Sequence, residues 1–158
     1  MNAGLVIFGT GAHARKAYHC ARLSGLVVLG FADENPQATP PVAGVAMLDA
    51  TEFNAAAASG ALFVAIGRGE VRQRLMTHFE TQGWQLPALV HPQASVASDV
   101  MLLPGAFVAA GAVVESGTRI GRGAIVDIGV LVDHDCQVAD FCHLRPGQVC
   151  PAGSVWAA

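Results

Sequence analysis

The sequence is poor in charge. Only 13 % of its 158 residues are Asp, Glu, Lys or Arg, the net charge is −3, and no basic run interrupts it. A protein that tracks phosphates along a nucleic acid needs clustered cations, so nucleic-acid binding is excluded as a reading. Long apolar runs are also missing. The longest, Val100–Val114, is broken by Pro104, Gly105 and Gly111, and it falls short of the roughly 20 residues a membrane-spanning helix needs. No cationic segment with a cleavage site opens the chain, so no signal peptide is read. A cytoplasmic protein without membrane insertion is expected. The four cysteines, Cys20, Cys136, Cys142 and Cys150, form no C-x-x-C pair. That spacing is poor for zinc and reads as buried free thiols in a reducing compartment. What the chain does have is apolar residues, at 53 %, and 18 glycines. That composition leaves little room for disorder, and the length suits one domain or two small ones.

The first half alternates apolar strands with amphipathic helices. Leu5–Phe8 reads as a buried strand, and Gly9–Ala14 (GTGAHA) as a glycine turn. Ala12–Leu23 reads as a helix closed near Gly25, and Leu26–Asp33 as a strand ending in acids. A strand over Leu62–Gly67 follows, then a helix over Glu70–Gln82 with Val71, Leu75 and Phe79 on one face and Gly83 as its cap. Strand, helix, strand with apolar strands predicts a small parallel sheet. GTGAHA resembles a G-x-G-x-x-A dinucleotide turn, with Asp33 as the acid further on, where a phosphate approaches backbone at a helix N-terminus. Yet the region lacks a second mononucleotide half, which argues against NAD and an oxidoreductase. An ordinary strand-end loop, with Asn35–Pro36 as its turn, is the alternative reading of Asp33 and Glu34.

From Val90 the period becomes six. Val, Leu or Ile opens ten consecutive hexads, from Val90 to Leu144, and the fourth residue is often glycine. Neither a helix nor a simple strand repeats every six residues. The pattern is that of a parallel β-helix, in which each hexad is one short strand and one turn. The first side chain points inward, the small fifth fits a corner, and glycine permits the turn. With three hexads to a coil, residues 18 apart stack. In this frame VLVDHDCQ places Val132 inward and leaves Asp133, His134 and Asp135 in a turn. A solvated corner would account for them. So would chemistry, since a histidine can take a proton near neutral pH and a neighbouring carboxylate stabilises the imidazolium. His143 lies nine residues after His134, half a coil away. The two therefore cannot stack in one chain and could meet only across a contact between subunits.

The stretches VIFGTGAHARK, GFADEN, FVAIGRGEVRQRL, LVHPQASVASDV and GRGAIVDIGVLVDHDCQVADFCHLRPG together resemble the bacterial hexapeptide-repeat sugar acetyltransferases of the PglD/NeuD type. The resemblance implies an α/β Rossmann-like N-terminal domain over 1–83, a linker over 84–89, and a left-handed β-helix over 90–158. It implies a homotrimer and transfer of acetyl from acetyl-CoA, without a metal, to a UDP-linked 4-amino-deoxyhexose for surface polysaccharide or glycan synthesis. His134 matches the family's general base, and Asp135 the acid that raises its basicity. His143 matches a residue that contacts acetyl-CoA. Gly11, Ala12, His13, Asp33, Glu34 and Gly67 match the nucleotide-sugar site.

Two departures from the family pattern stand out. Asp127 replaces a usual Asn seven residues before His134, and its charge is expected to bear on that histidine. Relatives are expected to continue for several more coils, which form much of the acetyl-CoA groove. That leaves a non-catalytic nucleotide-sugar-binding remnant or scaffold as the rival reading, with sialic acid O-acetylation as a lesser one. A zinc β-helix of the γ-carbonic anhydrase kind would need His91, His134 and His143 on one metal, and their spacings of 43 and 9 match no coil repeat.

Overall fold

A computed structural model describes residues 4–57 and 60–158. Residues 1–3, with which the signal-peptide reading begins, lie outside it. The chain divides into two compact units, Met1–Pro87 and Ala88–Ala158. No helix among the described residues is long and apolar enough to cross a membrane.

The first unit runs β1 (Leu5–Phe8), α1 (Ala12–Leu23), β2 (Val28–Ala32), α2 (Ala50–Ala57), β3 (Ala61–Val64) and α3 (Gly69–Thr81). The strands form a parallel sheet in the order β2-β1-β3. Every residue of the central strand β1 is buried, which explains its unbroken apolar run. Helix α1 buries Ala14, Ala17, Cys20 and Ala21, small side chains that let it lie close. Gly25, at φ 76, follows its end, the usual left-handed stop. Strands β2 and β3 are shorter than their apolar runs suggest, because each ladder lasts only as long as the four residues of β1. Helix α2 has no counterpart in the sequence reading. Its start is a reciprocal cap: Glu52 N–H donates to Asp49 Oδ1 at 2.8 Å, and Asp49 N–H donates to Glu52 Oε2 at 3.0 Å. The segment read as a linker carries buried Trp84, Leu86 and Leu89. Trp84 stacks with Phe53 at 4.9 Å, and Phe8 packs on Phe79 at 4.8 Å.

The second unit is twelve two-residue strands in three four-stranded parallel sheets: β4-β7-β10-β13, β5-β8-β11-β14 and β6-β9-β12-β15. The strands are β4 (Leu89–Val90), β5 (Ser95–Val96), β6 (Met101–Leu102), β7 (Phe107–Val108), β8 (Val113–Val114) and β9 (Arg119–Ile120). After them come β10 (Ile125–Val126), β11 (Leu131–Val132), β12 (Gln137–Val138), β13 (His143–Leu144), β14 (Val149–Cys150) and β15 (Val155–Trp156). Each strand pairs with the one 18 residues on, as Phe107 with Ile125 and Ile125 with His143. The second residue of each strand points inward, so Val108, Val114, Ile120, Val126, Val132, Val138 and Leu144 form the core with small residues such as Ala106, Ala112 and Ala124.

The fourth hexad residue is the turn. Gly105, Gly111, Gly117, Gly123, Gly129, Gly147 and Gly153 all have φ between 58 and 71. Asp135 and Phe141 fill the same position at φ 58 and 61 and are the only non-glycine residues at positive φ among those described. All four cysteines are buried and unbridged.

Two glycines separate the constraints of this fold. A Cβ at Gly129 would meet nothing within 4 Å, so only its φ of 63 forbids one. A Cβ at Gly121 would lie 2.5 Å from backbone atoms of Ala139 and Asp140 in the next coil. Gly129→Ala should therefore cost about 1–2 kcal/mol through backbone strain alone. Gly121→Ala should cost more, because two coils must part. Chemical denaturation of the two variants checks the order, and equal losses would contradict it.

Candidate active site

In the β-helix, the turn Asp133–Asp135 between β11 and β12 stands out chemically. His134 Nδ1 is 2.8 Å from Asp135 Oδ2, and both side chains are exposed. Asp133 Oδ1 accepts from the His134 backbone N–H at 2.8 Å. The bond to Asp135, the charge of Asp133 and, more weakly, those of Asp135 and Glu115 raise the His134 pKa above its ordinary value. The left-handed backbone of Asp135 folds its carboxylate back to the ring of its neighbour.

The turn is held from below and above. Thr118 Oγ1, buried one coil below, donates to Asp133 O at 3.1 Å and accepts from Cys136 N–H at 3.2 Å. Asp135 N–H donates to Ser116 O at 2.9 Å, and Gly153 N–H donates to His134 O at 2.9 Å. Thr118 escaped the sequence reading because it sits where the repeat asks only for a small residue.

His143 opens β13, on a different sheet from the His134 turn. Its Nε2 is 3.2 Å from Asp127 Oδ2, and the side chains are 15 % and 4 % exposed, so this second pair is buried where the first is open. Asp127 Oδ1 accepts from Ile128 N–H at 2.8 Å. The charge expected to bear on His134 is therefore bonded to His143 instead. Asp127 follows the inward Val126 of β10, the strand that pairs with β13, whereas His134 belongs to the turn after β11.

In the first unit the remaining candidates gather at the C-terminal ends of the three parallel strands, where open parallel sheets bind ligands. Gly11 and Ala12 are exposed at the start of α1, and Gly11 is its N-cap without a side-chain capping bond. The His13 ring lies over Gly67: a Cβ there would be 2.8 Å from its Cδ2 and 3.0 Å from its Nε2. Asp33 already serves the fold, accepting from Thr10 Oγ1 at 2.8 Å and from Asn35 N–H at 2.9 Å. Glu34 forms a two-pronged bond with Arg74 at 3.0 and 2.9 Å, which lowers its pKa. Arg72, 1 % exposed, was not anticipated; its Nη1 donates to Ile66 O at 2.7 Å and Gly67 O at 3.0 Å. The thiols are poor nucleophiles where burial dominates, since it pushes Cys20 and Cys150 each up to about 11.

Residues 4–79 match the PglD N-terminal domain. A histidine-to-asparagine mutant of perosamine N-acetyltransferase from Caulobacter crescentus, in complex with CoA and GDP-perosamine, is 32 % identical to this chain. The match covers 96 % of this chain and 73 % of that one, with a TM-score of 0.87. The chain belongs to the PglD-type sugar acetyltransferase family. This acetyltransferase is also similar to the acetyltransferase domain of PglB from Neisseria gonorrhoeae FA1090 in complex with acetyl coenzyme A, at 27 % identity over 94 % of this chain and 73 % of that one, TM-score 0.83. WeeI from Acinetobacter baumannii AYE, 22 % identical over 93 % and 71 % of the two chains, shares the fold at a TM-score of 0.82. Among curated proteins no sequence matches.

If Asp135 raises the basicity of the acetyltransferase's His134, Asp135→Asn should move the His134 titration to lower pH, toward the ordinary value of about 6.5. Asp135→Gly should do the same while keeping the turn, since glycine fills the equivalent position in seven other hexads. NMR titration of the ring protons checks both. A midpoint unchanged in both variants would remove Asp135 as the cause.

Proposed function

We propose that the protein transfers an acetyl group from acetyl-CoA to the amino group of a nucleoside-diphosphate-linked amino sugar. His134 is the general base. The observation that carries this is the His134–Asp135 pair, set on a β-helix turn in a chain that belongs to this family. Nδ1–H donates to Asp135, which leaves Nε2 as the basic nitrogen. That nitrogen takes a proton from the attacking amine as the new C–N bond forms, and the imidazolium is stabilised by Asp135 and Asp133. Bound acetyl-CoA supplies the activated thioester, and its thiolate is the leaving group. His143, oriented by Asp127, lies in the acetyl-CoA site.

The first unit, read as a Rossmann-like domain, holds the nucleotide sugar. Its phosphates sit at Gly11 and Ala12 on the α1 N-terminus, with His13, Asp33, Glu34 and Gly67 around it. The expectation of uridine finds no support in the Caulobacter relative, whose complex holds GDP-perosamine, so the proposal names the diphosphate and the amino sugar and the assay decides the base. The second unit is read as a left-handed β-helix that trimerises through outer faces carrying Met101, Leu131, Val149 and Val155, all exposed. Leu131 and Val149 are neighbours on one sheet face, and adjoining exposed apolar residues suit a protein contact.

The test is CoA release, followed with a thiol reagent, with UDP- and GDP-linked amino sugars as acceptors. Turnover with either is expected, and His134→Ala should lower kcat by about 10²–10⁴. Nucleotide-sugar binding without CoA release would instead leave a binding protein. The pH profile carries a sign. A base must be neutral to accept a proton, and the His134 pKa is raised. The rising limb of kcat/KM should therefore lie above the ordinary histidine value and move to lower pH in Asp135→Asn. A limb that stays in place would argue against His134 as the titrating base.

A further inference from the structure

Three contacts in the first unit link a buried cation to a candidate ligand group. Arg72, in the first turns of α3, is almost fully buried, and its guanidinium reaches back to the carbonyls of Ile66 and Gly67 at 2.7 and 3.0 Å. Those residues follow β3 and sit against the turn that follows β1. A Cβ at Gly9, which has φ 114, would meet Ile66 Cδ1 at 2.8 Å and Ala65 O at 3.0 Å. A Cβ at Gly67 would meet the His13 ring at 2.8 Å. The two loops thus touch through glycines on both sides, with no slack for a methyl group. One of them is clamped by a single guanidinium nitrogen, Nη1, which donates to both carbonyls from a planar group of fixed geometry.

We infer that Arg72 is a positioning residue for the nucleotide-sugar pocket: by binding the carbonyls of Ile66 and Gly67, it fixes the backbone on which the His13 ring rests and so sets where His13 meets the ligand. The inference rests on the reading that His13 belongs to that pocket. An arginine buried only for packing would hold the helix against the sheet, and its loss would be felt as stability. Arg72 holds the loop that floors His13, so its loss should also be felt at one ligand. Lysine is the conservative variant: its ammonium keeps the charge but rides on a flexible stem, without the planar guanidinium that holds Nη1 against both carbonyls.

The experiment uses the full chain. Variants Arg72→Met, Arg72→Lys, Gly67→Ala and His13→Ala are compared by NMR of the His13 ring, assigned from His13→Ala, by calorimetric titration with UDP and with GDP, and by the KM for acetyl-CoA. Arg72→Met and Gly67→Ala should shift the His13 ring signals and weaken binding of the nucleotide the parent binds by about tenfold. The acetyl-CoA KM should stay within about twofold, as expected for a misplaced binding group. The double variant Arg72→Met with His13→Ala should bind no more weakly than His13→Ala alone, because the two act through one contact. Arg72→Lys should fall between the parent and Arg72→Met. Should Arg72→Met fail to fold, Arg72→Lys and Gly67→Ala carry the same comparison. Ring signals unmoved in the arginine variants, losses that multiply in the double variant, or equal losses toward both substrates overturn the inference. A His13→Ala chain that binds nucleotide as the parent does overturns the pocket reading itself, and is told apart by ring signals that still move.

Discussion

The β-helix depends on left-handed backbone at the fourth residue of every hexad from Gly105 to Gly153. A two-residue strand can reach the next side of the coil only if the chain turns sharply there, and for an L-residue that conformation costs about 1–2 kcal/mol. Glycine avoids the cost at seven of the nine turns. The stacked sheets, the inward column of Val, Ile and Leu, and the 18-residue register all follow once the turn is satisfied. Asp135 and Phe141 occupy the two turns where glycine is absent. Phe141 is nearly buried and sets its ring under the Arg122 guanidinium at 5.6 Å, so packing offsets its strain. Asp135 is exposed and has no such return from the core. What its side chain gains is the bond to His134. Asp tolerates the left-handed region better than most residues because a short polar side chain can bond locally. The chemistry of the corner and the strain of the turn therefore meet in one residue.

That turn is rigid for reasons spread over three coils. Ser116 and Thr118 hold it from below, and Gly153 reaches it from above. Thr118 Oγ1 both donates and accepts, so no apolar residue of the same shape can take its place without stranding the Cys136 N–H, a loss of about 1–3 kcal/mol for a buried donor. The imidazole itself projects into solvent, but the backbone beneath it is as fixed as any in the core.

The hexads were legible because their signal is local and repeated: each position faces one way, and ten repetitions in register leave no other period. The same frame placed Val132 inward and the Asp133–Asp135 turn outward, and the residues of β1 and α1 could be read directly. Long-range pairings were not legible. Nothing in the sequence says that Asp127 bonds to His143, 16 residues away, because that contact depends on how two paired strands offset their side chains. Nothing in the sequence marks Arg72 apart from the other charges of the helix Glu70–Gln82. Its burial follows from loop carbonyls that only the folded chain brings within reach. Helix α2 fully buries no residue, and its partly buried stripe is only Phe53, Ala56 and Ala57, too short to stand out; its reciprocal cap, Asp49 with Glu52, was the clearer signal.

The two histidine–carboxylate pairs of the β-helix differ in environment more than in chemistry. His134 and Asp135 are 58 % and 71 % exposed, and an exposed ion pair is screened and worth little. His143 and Asp127 are held away from water. General-base catalysis benefits when water is excluded and the carboxylate acts through a low dielectric. If His134 is the base, as proposed, the open pair gains strength when it is covered. Its own chain does not bring His143 to it, since the two histidines lie on different sides of the coil. In the proposed reaction the bound substrates provide that cover. On that proposal the chain carries a histidine–carboxylate pair that is already shaped, and the bound substrates supply the dielectric in which that shape matters.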